Sequence, residues 1–244
     1  MSIRSLTVTT FLAFSLIIIF SAELRADFDK NRDYHAAHTL MNYGLNMIAD
    51  GSSMIISVDM DIKTSITQNP INYGKKTIDL GKSFVERALK GPDMVEKHMQ
   101  DKENENKMML TTHKLGQLML KAAYSPDIFE SNLLKNSEIA HNLLVIQLEA
   151  NNALMMSAQG SNMIMTGQAD SSEKYLNRFF IDQGILMIGN AREVIFDLLH
   201  GEEMKNFANK NLLPPEKELY EYTRKQLINS VEIINLLYQM EFEE

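Results

Sequence analysis

Apolar and small residues recur along the chain with the spacing of buried helix faces. Between positions 40 and 58 they stand alternately four and three positions apart, at Leu40, Gly44, Met47, Gly51, Met54 and Val58. This spacing places them on one stripe, so we predict a helix over about 30–63 with that stripe buried. Because glycine costs about 1 kcal/mol relative to alanine inside a helix, the two glycines predict close approach of a neighbouring helix or a ligand, with helix packing favoured.

The prolines divide the rest of the chain into further helical segments. Only five occur, at positions 70, 92, 126, 214 and 215, and proline is disfavoured inside helices but favoured at their first turn. We predict further helices over about 72–90, 93–99, 107–123, 131–166, 172–199 and 215–240, with a connector over 206–215. No alternating apolar segment or Asn-Gly hairpin indicates a strand, so the predicted fold is all-α.

Two parts of the sequence resemble each other. Residues 42–55 read NYGLNMIADGSSMI and residues 151–164 read NNALMMSAQGSNMI, with eight of fourteen positions identical. A second stretch, 73–94, aligns without gaps to 183–204. We therefore predict a tandem duplication of a three-helix unit, with repeats at 27–126 and 127–244 packed as one or two antiparallel helical bundles.

The first 26 residues have the pattern of a secretory signal peptide. Arg4 precedes an apolar run from Val8 to Phe20, which is shorter than the roughly 20 residues needed to span a bilayer. Small residues follow, so we predict cleavage after Ala22 or Ala26 and a periplasmic or secreted protein. An uncleaved N-terminal anchor is the alternative. No later stretch is apolar and long enough to predict a membrane span.

Charge and cysteine content exclude several classes of protein. The chain has 24 basic and 32 acidic residues, a formal charge of −8, which disfavours binding to nucleic acid or to anionic lipid. It has no cysteine, so disulfide frameworks, thiolate zinc sites and covalent c-type haem are excluded. Stability must therefore come from core packing.

The chain contains 17 methionines and no tryptophan. Methionine fills helical cores and is also a soft ligand for copper(I). These methionines lie along apolar helical stripes and not in dense Met-x-x-Met runs, which favours core filling as their main role. Copper binding stays open as the alternative.

Histidine is distributed unevenly between the two repeats. Four of the six lie in the first repeat, at His35, His38, His98 and His113, and the aligned positions of the second repeat hold other residues. His35 and His38 share one helix face, where an imidazole pair can bind copper or zinc, and His98 or His113 could complete the site. Surface or helix-capping roles are the alternative, and a b-type haem held by His113 and Met47 is a less favoured ligand hypothesis.

Sequence motifs of catalysis are missing. Di-iron bundles need paired Glu-x-x-His motifs, whereas this chain has a single one, from Glu138 to His141. Phosphate-binding glycine loops, Gly-x-Ser-x-Gly and His-Glu-x-x-His do not occur. We therefore expect a protein that is not an enzyme.

Several short motifs together resemble an uncharacterised group of exported bacterial all-helical proteins with a Glu-Gly-Ser-Asn core and recurring His and Met. They are His38-x-x-x-Asn42, Gly51-Ser52-Ser53-Met54, Tyr73-Gly74, Met94-x-x-x-His98, Thr112-His113 and Gly160-Ser161-Asn162-Met163. Asp50 and Gln159 depart from the glutamate of that core, and Tyr73 stands where a histidine is usual. The resemblance implies an exported protein with a metal role, and it assigns no catalytic residue.

Two hypotheses follow from the sequence. The first is an exported, non-catalytic helical binding protein that holds a transition metal, copper first, through the histidines of the first repeat. The alternative is a structural, protein-interaction or sensor-type bundle without metal. That bundle would bind a protein partner or self-associate through an apolar helix face.

Overall fold

A computed structural model describes residues 30–60, 69–90, 104–124, 134, 137–169 and 174–242 of the chain. These ranges form the helices α1 (Lys30–Asp59), α2 (Pro70–Leu89), α3 (Asn104–Lys121), α4 (Glu138–Ala169), α5 (Lys174–His200), α6 (Glu202–Asn209) and α7 (Pro214–Phe242). The described residues contain no strand, which confirms the all-α prediction. The predicted helix over 93–99 lies outside the described residues.

Capping residues account for several helix starts. Asn69 accepts a hydrogen bond from the backbone N–H of Asn72, and Pro70 occupies the first turn, so α2 begins two residues before its predicted start. Ser137 accepts a hydrogen bond from the Ala140 N–H, which sets the start of α4 at Glu138 and not near 131 as predicted.

The predicted connector over 206–215 is partly wrong. Residues Glu202–Asn209 form the short helix α6, and only 210–213 separate it from α7. Glutamates at 202 and 203 lie in the first turn of α6, where negative charge interacts favourably with the helix dipole. Met204 and Phe207 from α6 are buried in the core, and this burial stabilises a helix too short to be stable alone.

Two helical hairpins share the same glycine contact. In the first hairpin, Gly51 of α1 meets Gly74 of α2, and a β-carbon on Gly51 would lie 2.5 Å from the Gly74 carbonyl oxygen. In the second, Gly160 of α4 meets Gly184 of α5, with a corresponding distance of 2.7 Å. The prediction of close helix approach at Gly51 is confirmed. In both hairpins the two helix backbones touch directly at the glycines, with no side chain between them.

The predicted buried stripe of α1 is only partly right. Gly44 and Gly51 are buried, whereas Met47 and Met54 are only half-buried. A neighbouring line is fully buried instead, at Met41, Leu45, Ile48, Ile55 and Ile56. The reason is that α1 packs against α2, α3 and α4, so more than one of its faces is covered.

The two halves of the chain form one bundle. α1 runs antiparallel to α4, since Asn42 hydrogen-bonds to Ser161 and Asn162 while His38 contacts Met165. α3 runs antiparallel to α7 in the same way. A single hydrophobic cluster contains buried residues from both halves.

Tyr124, three residues after the end of α3, forms two hydrogen bonds with α1. Its backbone N–H donates to the Ser52 hydroxyl at 3.0 Å, and its own hydroxyl donates to the Asp59 carboxylate at 3.0 Å. Burial and then the negative charge of Asp59 raise the pKa of the Tyr124 hydroxyl far above its ordinary range.

Candidate functional site

His38 is the predicted metal ligand for which the structure gives the most detail. It lies on α1 with 2% of its surface exposed, and its Nδ1 is 3.1 Å from the sulfur of Met165 on α4. Met165 is itself buried, and the Thr39 hydroxyl is 4.0 Å from the same sulfur. An imidazole nitrogen and a thioether sulfur from opposite halves of the chain therefore meet in the core.

The other predicted histidines are not shown to join this pair. His113 lies half-buried on α3, beside the fully buried Thr112. The side chain of His35 and all of His98 lie outside the described residues. Among the residues that the structure describes, no three His, Asp or Glu side chains are placed to hold one metal ion. The four-histidine site therefore stays a prediction.

The two halves differ in chemistry at the His38 position. In the sequence alignment, His38 corresponds to Gln147 and Met165 to Ile56. Gln147 is also buried, and its amide donates to the Thr223 hydroxyl at 2.7 Å. The imidazole–thioether pair, formed between the two halves, thus corresponds by alignment to an amide and a hydrocarbon side chain, at Gln147 and Ile56. Sequence reasoning missed Met165 because its contact depends on how α1 and α4 pack.

A small polar cavity lies between α4, α7 and Tyr124. Its volume is about 10 Å³, and its lining includes Gln147, Asn151 and Thr223. The Asn151 Nδ2 is buried and has no hydrogen-bond partner among the described residues. This space suits about one water molecule and is far smaller than a pocket for an organic ligand.

The outer surface of α5 carries an unusual set of exposed apolar side chains. The exposed fractions are 95% at Tyr175, 54% at Phe179, 55% at Leu186 and 57% at Phe196. With Gly189, these residues follow one another at spacings of four, seven, three and seven, which keeps them on one side of the helix. Two exposed carboxylates, Asp182 and Glu193, stand on the same line at the two steps of seven. We call these five residues the α5 outer face. The opposite side of α5, including Ile188 and Ile195, is buried in the bundle.

The corresponding surface of α2 is polar. In the sequence alignment Leu186, Gly189 and Phe196 correspond to Lys76, Asp79 and Glu86. All three α2 residues are exposed, as expected for a solvated surface. α2 does expose Tyr73 and Leu80, but on another line of the helix. A helix in this position of the hairpin therefore does not need an apolar outer face.

Gly189 differs from the other glycines inside the described helices. For the other eight, an added β-carbon would lie 2.7 Å or less from an atom of a neighbouring helix. A β-carbon on Gly189 would meet nothing within 4 Å. Close contact with a neighbouring helix explains the other eight glycines. Within the described structure this explanation does not apply to Gly189.

Comparisons with known proteins give no family for the chain. It matches no protein-family model, no curated protein and no solved structure. Within the described ranges, none of the helices combines the length and hydropathy needed to cross a membrane.

Proposed function

We propose that the chain is an exported, non-catalytic helical bundle that works by contacting another protein through the α5 outer face. The observation that carries this proposal is the exposure of Tyr175, Phe179, Leu186 and Phe196 on one side of a helix. The largest apolar patch on a typical soluble monomer covers about 300–600 Å² and often has a binding role. Aromatic side chains are also enriched in protein interfaces.

The comparison between the two halves supports this proposal. The glycine contacts of the two hairpins involve aligned residues, which supports a duplicated scaffold. On such a scaffold, a feature needed for folding is expected in both halves, whereas a feature of one half alone points to a separate role. The apolar outer face occurs on α5, and its α2 counterpart is charged and polar.

Export is the part of the proposal that rests on the sequence alone. The signal-peptide pattern of residues 1–26 supports it. N-terminal sequencing of the chain purified from its native cells should find a new terminus at Glu23 or Asp27. An intact Met1 in the mature protein would contradict cleavage and favour the anchor.

Site-specific photo-cross-linking tests the contact surface. A photoreactive amino acid replaces Phe196, and the matched control replaces Glu86, its counterpart on α2. We expect protein adducts in native cells from position 196 and not from position 86, because only the first lies on the α5 outer face. Equal adduct yields at both positions, or no adduct at either, would contradict the proposal.

Copper binding is a second candidate, supported by the contact of His38 Nδ1 with the Met165 sulfur at 3.1 Å. Imidazole and thioether groups together favour copper(I) over harder ions. The ion would bind between α1 and α4, where it would bridge the two halves. The His35, His98 and His113 side chains would then add to the site or be incidental to it.

The alignment of the two halves supplies conservative variants for a copper test. His38→Gln and Met165→Ile introduce the residues that stand at the aligned positions, Gln147 and Ile56. Copper(I) titration against a chromogenic chelator should show binding that each variant weakens by about tenfold or more. His141→Gln, at an exposed position, is the control. Undiminished affinity in both variants would exclude this site.

A further inference from the structure

We infer that the occupant of the α5 outer face is the α5 helix of a second copy of this chain, packed antiparallel. This inference rests on the proposed function and names its partner. The structure contributes three separate arguments, from Gly189, from the register of the apolar residues and from the charges beside them.

Gly189 indicates that another helix approaches α5 from outside. Eight of the nine glycines inside the described helices touch a neighbouring helix, so glycine in this protein marks close helix contact. A glycine inside a helix destabilises it by about 1 kcal/mol relative to alanine. At Gly189 no neighbouring helix of the described structure lies close enough to require a glycine. A close helix from a second molecule would account for the residue.

The spacing along α5 makes the outer face complementary to itself. When two copies are antiparallel and residue i lies opposite residue 375 − i, Leu186 lies opposite Gly189 and Phe179 opposite Phe196. The leucine side chain then fills the space that the glycine leaves, and this happens twice in a twofold dimer. In a parallel pair each residue faces its own copy, so two leucines meet and two glycines leave a gap.

Arg178 and Asp197, at the two edges of the outer face, also favour the antiparallel arrangement. In the same register Arg178 lies opposite Asp197, again twice. Asp182 and Glu193 stand on the line of the outer face itself and lie opposite each other, which is unfavourable. Arg178 lies 3.7 Å from Asp182 within each copy and reduces that repulsion. In a parallel pair every one of these charges would face an identical charge.

The available area lies at the lower limit for a stable dimer. The three exposed aromatic side chains contribute roughly 400 Å² per copy, taking about 200 Å² for a whole aromatic side chain. With the leucines and the flanking polar residues, two copies approach the roughly 1,200 Å² of the smallest stable interfaces. α5 has 27 residues, so the contact would be about 40 Å long.

Sedimentation equilibrium of the mature chain over a wide concentration range measures the association. We expect a monomer–dimer equilibrium. Phe196→Glu should raise the dimer Kd about 30-fold or more, because it places a charge against Phe179 of the second copy. Leu80→Glu is the matched control, since Leu80 is a similarly exposed residue on α2, and it should leave the Kd unchanged.

Gly189→Ala separates association from folding, because the two effects have opposite signs. The added methyl meets nothing in the monomer, so thermal stability measured at concentrations where the chain is monomeric should rise. In the dimer the same methyl occupies the space of Leu186 from the second copy, so the Kd should rise about tenfold. A tighter or unchanged dimer would overturn the packing at Gly189.

A charge exchange tests the antiparallel register. Arg178→Glu and Asp197→Arg should each raise the Kd about fivefold, since each creates two like-charge pairs across the dimer. The double variant should recover part of the loss, because the 178–197 pairs are restored with reversed sign while a glutamate at 178 no longer offsets the charge of Asp182. In a parallel dimer the double variant would not recover.

Failure of this inference is distinguishable from failure of the proposed function. A chain that is monomeric at all concentrations, but whose photoreactive position 196 links to a protein of different sequence, would overturn self-association and leave the contact surface intact. A monomer with no adduct would overturn both. A monomer that binds phosphatidylglycerol vesicles through Phe179 and Phe196 would also overturn both and assign the face to a membrane.

Discussion

Replacing Gly51 by alanine tests whether backbone contact between α1 and α2 stabilises the fold. A β-carbon at 51 would lie 2.5 Å from the Gly74 carbonyl oxygen and 2.9 Å from a side-chain carbon of Ile78. The first neighbour is backbone and cannot rotate away. The two helices must therefore separate by about half an ångström or more to relieve the overlap.

Two opposing terms set the magnitude of this change. Alanine improves helix propensity by about 1 kcal/mol over glycine. Overpacking of a tight interface costs about 1–3 kcal/mol. We expect a value at the upper end, because the equally close Gly44–Gly81 contact, about two turns away, holds the same two helices together. We expect a net loss of about 1–2 kcal/mol, or about 3–6 °C in Tm for a chain of this size.

Urea denaturation followed by circular dichroism measures the difference. Gly189→Ala, measured at concentrations where the chain is monomeric, is the matched control, because it has the same propensity gain without a neighbour to displace. It should be about 1 kcal/mol more stable than wild type. If Gly51→Ala were as stable as Gly189→Ala, the close backbone contact would not constrain the fold.

Two further predictions concern buried polar groups. The raised pKa of Tyr124 means that the unfolded chain loses this proton near pH 10.0 while the folded chain keeps it, so stability should fall above that pH by up to about 1.4 kcal/mol per pH unit. Tyr124→Phe should remove this tyrosine's contribution in urea titrations at pH 9 to 11, and an unchanged slope would contradict the assignment. Asn42→Ala should cost about 1–3 kcal/mol, because its hydrogen bonds to Ser161 and Asn162 are lost. Asn152→Ala, at an exposed site on α4, should have little effect on urea denaturation, and equal losses would refute the reasoning.

The sequence predicted the helices well because their determinants are local. Apolar spacing and prolines located α1, α2, α3, α5 and α7 within a few residues. The short helix α6 was missed because tertiary burial of Met204 and Phe207 stabilises it. The glycines at 44 and 51 predicted a close helix contact, but only the fold identified Gly74 and Gly81 as their partners.

The candidate sites were harder to predict because they depend on relations between distant segments. The histidine count drew attention to His38, but its neighbour Met165 is 127 residues away in sequence. Exposure of the α5 outer face could not be read from apolar content, since the buried side of α5 is equally apolar. The sequence alignment of α2 with α5 did indicate an exposed surface, because the polar residue Glu86 is aligned with Phe196.

The paired glycines also determine how far the helices of a hairpin can slide. Gly44 meets Gly81 and Gly51 meets Gly74. Each helix therefore has two gaps in its row of side chains, which we call notches, seven residues apart, and each notch faces a notch of the other helix. A shift of one helical turn would place a side chain against each notch, and a shift of two turns would align only one pair. α1 and α2 can therefore dock fully in a single register, and misaligned hairpins are excluded by shape during folding.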